Sequence, residues 1–171
     1  MKVFLISDTH FGHENIIQYC GRPFANADIM DECIMDNWND TVGQDDIIYH
    51  LGDVYFGKFP GRLHSLPGKK KLCLGNHDHG KDQNLQSVFE KIELLYRKPD
   101  LGCFLSHMPL LDRGIGGGKG YRELLSIHGH IHHRKAPSTY HVNVSVEMTD
   151  YKPIELEEVL DGYYQSTVSG C

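Results

Sequence analysis

Short clusters of Asp, Asn and His carry the chemistry that this sequence offers. Five clusters occur between residues 8 and 132, and seven of their side chains could bind a metal: Asp8, His10, Asp53, Asn76, His107, His130 and His132. They provide two carboxylates, one amide oxygen and four imidazoles, without a thiolate. This mixture of oxygen and nitrogen ligands suits Mn, Fe, Zn, Co or Ni better than Ca or a soft metal.

The number of ligands indicates two ions. Seven ligands exceed what one cation needs, but they suit two cations if one carboxylate bridges them. Two divalent ions about 3.5–4 Å apart can clamp a phosphoryl group and activate a water molecule between them. Their charge exceeds that of the two carboxylates and one hydroxide, so the site would attract a phosphate oxyanion. The sequence therefore predicts a dinuclear centre that acts on phosphate esters.

Each cluster follows a short apolar segment that is typical of a β-strand. These segments lie at residues 3–6, 47–49, 71–74, 104–105 and 127, and a helix is predicted over about 28–40. Ligands of open α/β sheets gather beyond the carboxyl ends of the strands, so the five clusters can converge on one site. Residues 140–146 alternate apolar and polar side chains, which predicts a strand with one buried face. A closing helix is predicted over 154–160.

Length and composition limit the class of protein. A chain of 171 residues with 40% hydrophobic and 23% charged residues predicts one globular domain over residues 1–171. The net charge of −6 argues against a global basic field for duplex DNA, so nucleic acid is the less favoured partner. No apolar run is long enough to span a membrane, and a cytoplasmic location is expected.

Two further patterns exclude other kinds of site. The five cysteines include no C-x-x-C pair, so we expect free thiols in a reducing compartment. The glycine-rich stretch 114–120 predicts a loop, but it is no phosphate-binding P-loop because Gly120 follows Lys119 where Ser or Thr is required.

The clusters together resemble a known family signature. The motifs are Asp8-x-His10, Gly52-Asp53, Gly75-Asn76-His77-Asp78, Ser106-His107 and Gly129-His130-Ile131-His132. In this order they resemble the calcineurin-like metallophosphoesterase superfamily, and the stretch 7–17 resembles its short bacterial and phage members. The resemblance implies an α/β four-layer sandwich of two facing mixed β-sheets flanked by helices. No insertion is long enough for a cap domain.

The resemblance also implies a role for each site residue. One metal would be held by Asp8, His10, Asp53 and His132, and the other by Asp53, Asn76, His107 and His130, with Asp53 as the bridge. Two divalent transition-metal ions are expected, with Mn²⁺ preferred and Fe, Zn, Ni or Co as alternatives. His77 would bind a phosphate oxygen or protonate the leaving group, and Asp78 would orient it.

Substrate contacts are expected from Asn76, His77 and Arg22. Arg22 could bind the non-bridging oxygens of a phosphate through two N–H groups; the alternative is an exposed arginine in a turn.

These expectations combine into one leading function and two alternatives. The leading function is hydrolysis of phosphodiester or phosphomonoester bonds in small nucleotide-like substrates, by attack of a metal-bridging hydroxide. A nuclease that acts on DNA or RNA ends is the alternative within enzymes, and the acidic net charge argues against it. An inactive protein-binding scaffold is the other, but such a protein would be expected to lose residues of Asn76-His77-Asp78. Protein partners stay open.

Overall fold

The computed structural model describes residues 1–110 and 124–168, which form nine strands and four α-helices. The strands are β1 (Val3–Ile6), β2 (Ile47–His50), β3 (Lys69–Cys73), β4 (Lys91–Glu93), β5 (Leu95–Lys98), β6 (Cys103–Ser106), β7 (Leu125–His128), β8 (His141–Asn143) and β9 (Ile154–Glu155). The helices are α1 (Glu14–Cys20), α2 (Ala27–Thr41), α3 (Gln83–Val88) and α4 (Leu156–Val168). None of the helices in these ranges is long and apolar enough to cross a membrane.

The strands form two mixed sheets. Sheet 1 has the order β4-β3-β2-β1-β9, in which β1 to β4 run parallel and β9 is antiparallel to β1. Sheet 2 has the order β5-β6-β7-β8, in which β5 is antiparallel and the other three strands run parallel. The register pairs Ile6 with His50 and His50 with Leu72, so the carboxyl ends of β1, β2 and β3 lie side by side.

The apolar residues of β1 explain how the layers pack. Successive side chains on a strand point to opposite faces. Leu5 belongs to the core between the sheets, which also contains Leu105 and Ile127 of sheet 2. Phe4 and Ile6 belong to a second core, in which sheet 1 packs against helix residues that include Met30, Ile34 and Trp38. A strand covered on both faces is therefore apolar throughout. Two mixed sheets flanked by helices confirm the predicted fold class.

The prediction for residues 140–146 was wrong in part. The strand covers only His141–Asn143, and the polar residues His141, Asn143 and Ser145 are buried rather than exposed. Two of them make inward hydrogen bonds, from Asn143 Nδ2 to the His132 carbonyl and from Ser145 Oγ to Asp8. These polar side chains therefore form hydrogen bonds inside the protein, whereas the alternating pattern predicted that they would face water.

Helix α2 lies within one residue of its predicted bounds at each end. The predicted closing helix starts later, because Ile154 and Glu155 form β9 and α4 begins at Leu156. Four cysteines are free thiols: Cys20, Cys33, Cys73 and Cys103. Cys171 and the expected loop 114–120 lie outside the described residues.

Candidate metal centre

The seven predicted ligands come together at one end of the two sheets. They follow β1, β2 and β3 of sheet 1 and β6 and β7 of sheet 2. The ligand atoms of Asp8, His10 and His132 all lie within 4.8 Å of one another, and so do those of Asp8, Asp53 and His107. The Asn76 amide oxygen lies 2.9 Å from a ring nitrogen of His107 and 2.9 Å from one of His130.

Asn76, His107 and His130 have the spacing of ligands around one cation. His107 Nε2 and His130 Nδ1 are 3.2 Å apart, and Asn76 Oδ1 is 2.9 Å from each. Ligand atoms about 2.1 Å from one ion lie about 3.0–3.4 Å apart in octahedral or tetrahedral geometry. His107 Nδ1 is 2.8 Å from the Leu51 carbonyl. A neutral ring that donates there turns its Nε2 lone pair toward the amide oxygen, an unfavourable contact that a cation would relieve.

Asp53 lies where the two groups of ligands meet. Its Oδ2 atom is 3.5 Å from His10 Nε2 and 3.5 Å from His107 Nε2, and its Oδ1 atom accepts a hydrogen bond from the backbone N–H of His77. His10 Nε2 is buried and has no hydrogen-bond partner in the described part of the chain. Buried polar atoms are rarely left without a partner, so this nitrogen fits a metal ligand.

The burial of the centre changes the pKa values of its residues. Burial lowers the pKa of His10 to about 2, and the Arg22 charge and neighbouring imidazoles act in the same direction. Burial also raises the pKa of Asp8, although His107 and His132 oppose this change. His10 is therefore neutral and able to ligate a metal at neutral pH.

Most of the ligands have a strained backbone. Asp8, His10, Asp53, His130 and His132 have φ angles between 49° and 69°, and only Asp150 and Tyr151 join them among the described non-glycine residues. Such conformations cost about 1–3 kcal/mol each and persist where the surrounding structure enforces them. Strain is thus concentrated in the residues proposed to bind metal.

Two glycines let the ligand loops approach closely. A Cβ atom at Gly75 would lie 2.1 Å from Asp53 Oδ1, and one at Gly129 would lie 2.2 Å from Asp8 Oδ2. No real Cβ atom tolerates such distances. Each glycine therefore makes room for a carboxylate supplied by a different loop.

Glu147 belongs to the site, although sequence reasoning missed it. It follows β8, so a sixth strand end contributes, and its Oε1 atom is 2.9 Å from His132 Nδ1. The other ring nitrogen, His132 Nε2, lies toward Asp8 at 4.0 Å. A carboxylate that holds one nitrogen of a metal-binding histidine fixes its tautomer and its orientation. The two-residue spacing of Asn143, Ser145 and Glu147 was the available signal.

The surroundings of His132 stabilise positive charge. Burial by itself lowers the pKa of His132, but hydrogen bonds with Cys20 and Glu147 and the nearby charges of Asp8 and Glu147 outweigh it. The resulting pKa is about 10. A bound cation would satisfy the same preference for positive charge.

Arg22 does not have the expected role. Its guanidinium is buried and donates to Glu147 Oε1 at 2.9 and 2.7 Å, to the Asp8 carbonyl at 2.7 Å and to the Thr9 carbonyl at 3.0 Å. The remaining N–H group lies 3.2 Å from Met30 Sδ. With all five donors engaged, Arg22 has none for a phosphate, and it is not an exposed turn residue either. It fixes the segment that carries Asp8.

Asp78 also differs from its expected role. Its carboxylate accepts hydrogen bonds from the backbone N–H groups of Asp53, Val54 and Gly75 at 2.8, 3.0 and 2.8 Å. Within the residues that the structure describes, no hydrogen bond joins it to the His77 ring. The expectation that Asp78 orients His77 is therefore wrong. Asp78 instead joins the loops after β2 and β3.

The His77 ring is exposed beside the ligands. Its centroid is 5.8 Å from the His10 ring and 5.0 Å from the Phe56 ring. Its backbone N–H donates to Asp53, and its ring forms no hydrogen bond within the residues that the structure describes. This placement fits a group that meets the substrate. Asn76 is exposed as well, and its expected substrate contact stays a prediction.

A buried pair, Thr9 and His50, connects the loops after β1 and β2. Thr9 Oγ1 donates to the Val54 carbonyl at 2.8 Å, so it accepts from His50 Nε2 at 2.9 Å. His50 Nδ1 then accepts the N–H of Gly52 at 3.2 Å. Burial, followed by the charge of His107, lowers the pKa of His50 to about 3. A neutral His50 with one fixed tautomer therefore supports the segments on both sides.

Oxygen and nitrogen ligands that gather at the shared end of two mixed sheets are typical of metal-dependent hydrolases of phosphate esters. The chain belongs to the calcineurin-like phosphoesterase family, whose sequence profile matches residues 1–166. Members of this family are phosphoesterases that generally bind divalent metals, and the ligand clusters described above are consistent with that property.

The chain is similar to three further proteins. The chain is 34% identical to an uncharacterized protein of Methanocaldococcus jannaschii, over 93% of this chain and 89% of that protein. It is 37% identical to the Gene 66 protein of Mycobacterium phage L5 over 84 residues, which are 45% of this chain and 40% of the phage protein. The crystal structure of a protein of unknown function from Aquifex aeolicus superposes with a TM-score of 0.72 and 29% identity, covering 92% of this chain and 97% of that one.

Proposed function

We propose that this chain hydrolyses phosphodiester or phosphomonoester bonds of small, nucleotide-like molecules with the help of two divalent transition-metal ions. The position of Asp53 carries the proposal. One carboxylate oxygen lies 3.5 Å from a histidine nitrogen in each ligand group, as a bridge between two ions requires. Asp8, His10 and His132 would complete one metal site. Asn76, His107 and His130 would complete the other.

The residues of the chain divide the work. When bound, the two cations would draw electron density from the phosphoryl oxygens and lower the pKa of a water molecule held between them. The exposed His77 imidazole would donate a hydrogen bond to a phosphate oxygen or a proton to the leaving oxygen. Asp78, Glu147 and Arg22 act through other groups, because they fix the loops and the ring that bear the ligands.

The test begins with metal-reconstituted protein and a set of substrates. A bis-aryl phosphodiester, an aryl monophosphate, cyclic nucleotides and short oligonucleotides should be compared after reconstitution with Mn²⁺, Fe²⁺, Zn²⁺, Ni²⁺ or Co²⁺. We expect small esters to be turned over faster than oligonucleotides. Strong oligonucleotide cleavage that weakens steeply with salt, alongside negligible turnover of small esters, would favour the nuclease alternative.

His77 variants separate proton transfer from metal binding. His77→Gln should keep both ions and reduce turnover by roughly 10²–10⁴-fold if His77 is a general acid. The loss should be larger for an alkoxide leaving group than for p-nitrophenolate, which departs readily without a proton. His64→Gln is the matched control, because His64 is an exposed histidine that packs on Phe59 outside the site. Loss of a metal ion from His77→Gln would contradict the assignment.

A further inference from the structure

A cleft opens next to His77, and aromatic side chains form one wall of it. Its volume is about 260 Å³, and its lining includes Tyr55, Phe56, His77, Asp78 and Asp82. Phe56 is 36% exposed although it is a large apolar residue beside a polar centre. The ring of His13 stacks on it at 4.2 Å and 17°. His77 and His10 also contact this ring, at centroid distances of 5.0 and 6.0 Å, so the exposed part of Phe56 is the surface left for a further planar group.

Contacts with neighbouring loops hold Phe56 in this position. The backbone N–H of Phe56 donates to the Phe11 carbonyl at 2.8 Å. A Cβ atom at Gly12 would lie only 2.9 Å from the carbonyl oxygen of Phe56, so the two loops approach closely here. The Tyr55 hydroxyl donates to Asp82 and fastens the next part of the wall. The cleft is thus formed before any ligand arrives.

The charge of the lining suits a neutral group better than a second phosphate. Two carboxylates, Asp78 and Asp82, line the cleft, and none of its described lining residues is Lys or Arg. A phosphate would be repelled there and attracted to the cations of the metal centre. The ring centroids of Phe56 and of the candidate metal ligand His10 are only 6.0 Å apart. One small molecule can therefore place a planar group on Phe56 and its phosphate at the metal ligands.

We infer that this cleft binds a planar aromatic group of the substrate, namely a nucleobase that stacks on Phe56 while its phosphate lies at the metal ligands. The inference rests on the proposed function and specifies its substrate class, namely phosphate esters that contain a single nucleoside. The volume is below the range of about 300–1,000 Å³ for drug-sized ligands, and it suits a single base.

Calorimetry with two ligands tests the inference without requiring turnover. AMP and ribose 5-phosphate carry the same phosphate and sugar, and only AMP carries a base. Both should be titrated into Zn²⁺-loaded protein while ³¹P NMR follows the phosphate ester. Both are monoesters within the proposed substrate class, so if they are hydrolysed the ratio of their kcat/KM values replaces the ratio of their affinities. Removing one stacking side chain costs on the order of 5- to 100-fold in affinity. We expect AMP to bind wild-type protein at least about tenfold more tightly than ribose 5-phosphate.

Phe56→Leu should remove this advantage of AMP and leave the affinity for ribose 5-phosphate unchanged, because leucine keeps apolar bulk without the ring. Tyr140→Leu is the matched control, since Tyr140 is 39% exposed and precedes β8 at the end of sheet 2 away from the metal ligands. Equal affinities of the two ligands for the wild type would overturn the inference. So would an equal loss for both in Phe56→Leu, which would mean that Phe56 shapes the metal centre instead.

The outcomes separate this inference from the proposed function. Hydrolysis of small esters together with equal affinities for AMP and ribose 5-phosphate would reject the base subsite and keep the phosphoesterase. Binding of AMP that depends on Phe56, without hydrolysis of any phosphate ester, would keep the subsite and reject the enzyme.

Discussion

Replacing Glu147 by glutamine should weaken one metal site and leave the other intact. Glu147 Oε1 is 2.9 Å from His132 Nδ1 and receives two N–H groups of Arg22 at 2.9 and 2.7 Å. Glutamine preserves the shape and one acceptor oxygen but removes the negative charge. Its amide nitrogen can take the place of Oε2, which is buried and has no partner in the described residues.

Two magnitudes follow from these contacts. Arg22 and Glu147 have side chains that are 0% and 4% exposed, and breaking a buried ion pair costs about 3–5 kcal/mol. Glutamine can still accept a hydrogen bond from Arg22, so we expect a loss of folding free energy near the lower end, about 3 kcal/mol. Loss of the partner of a metal-bound histidine reduces metal affinity by about 10- to 100-fold. That loss should fall on the site with Asp8, His10 and His132.

Urea unfolding of metal-free protein measures the first quantity, and titration with Zn²⁺ against a chelating indicator measures the second. Glu93→Gln serves as the control, because Glu93 pairs with Lys91 at 3.1 Å on the surface with side chains 44% and 57% exposed. That change should alter stability by no more than about 1 kcal/mol and alter neither metal affinity. Equal weakening of both sites in Glu147→Gln, or no weakening, would refute the positioning role of Glu147.

Three further predictions test the residues that support the ligand loops and the bridging role of Asp53. The pKa of His50 is about 3 in the folded protein and about 6.5 in the unfolded chain, so the free energy of unfolding should fall as pH decreases from about 6.5 toward 3. His50→Gln should reduce that slope by up to about 1.4 kcal/mol per pH unit, as measured by urea unfolding of metal-free protein. Asp53→Ala should lose both metal ions and His10→Ala only one, as measured by elemental analysis; two tightly bound ions in Asp53→Ala would contradict the bridge. Gly129→Ala should lower the free energy of unfolding by about 1–3 kcal/mol because its Cβ overlaps Asp8, whereas Gly162→Ala meets nothing within 4 Å and should be neutral or stabilising.

The gathering of the candidate ligands at one place could be predicted from the sequence because their signals are local. An apolar strand segment ends in a polar cluster, and the type of each side chain limits the metals that it binds. The parallel register of β1, β2 and β3 then brings Asp8, Asp53 and Asn76 to one edge, as such topology requires. The continuously apolar β1 segment agrees with the burial of this strand on both faces, with Leu5 in one core and Phe4 and Ile6 in the other.

The supporting residues could not be predicted, because their partners are distant in the sequence. Arg22 and Glu147 are separated by 125 residues, and Asp78 and the backbone of Asp53 by 25. Arginine near a phosphate site and aspartate after a histidine each have an obvious catalytic interpretation. Only the fold decides whether such a side chain supports the ligand loops from within the protein or faces the substrate.

The supporting residues also explain how a strained centre can exist before metal binds. Five ligands have left-handed backbones, at about 1–3 kcal/mol each. Arg22 donates to two backbone carbonyls of the first loop, and Asp78 accepts three backbone N–H groups from the second and third. Hydrogen bonds to charged groups contribute about 1.5–3 kcal/mol each, so these five are comparable in size with the strain. The buried Arg22 guanidinium and the half-buried Asp78 carboxylate therefore hold the ligand loops in place, and removing either should loosen the centre.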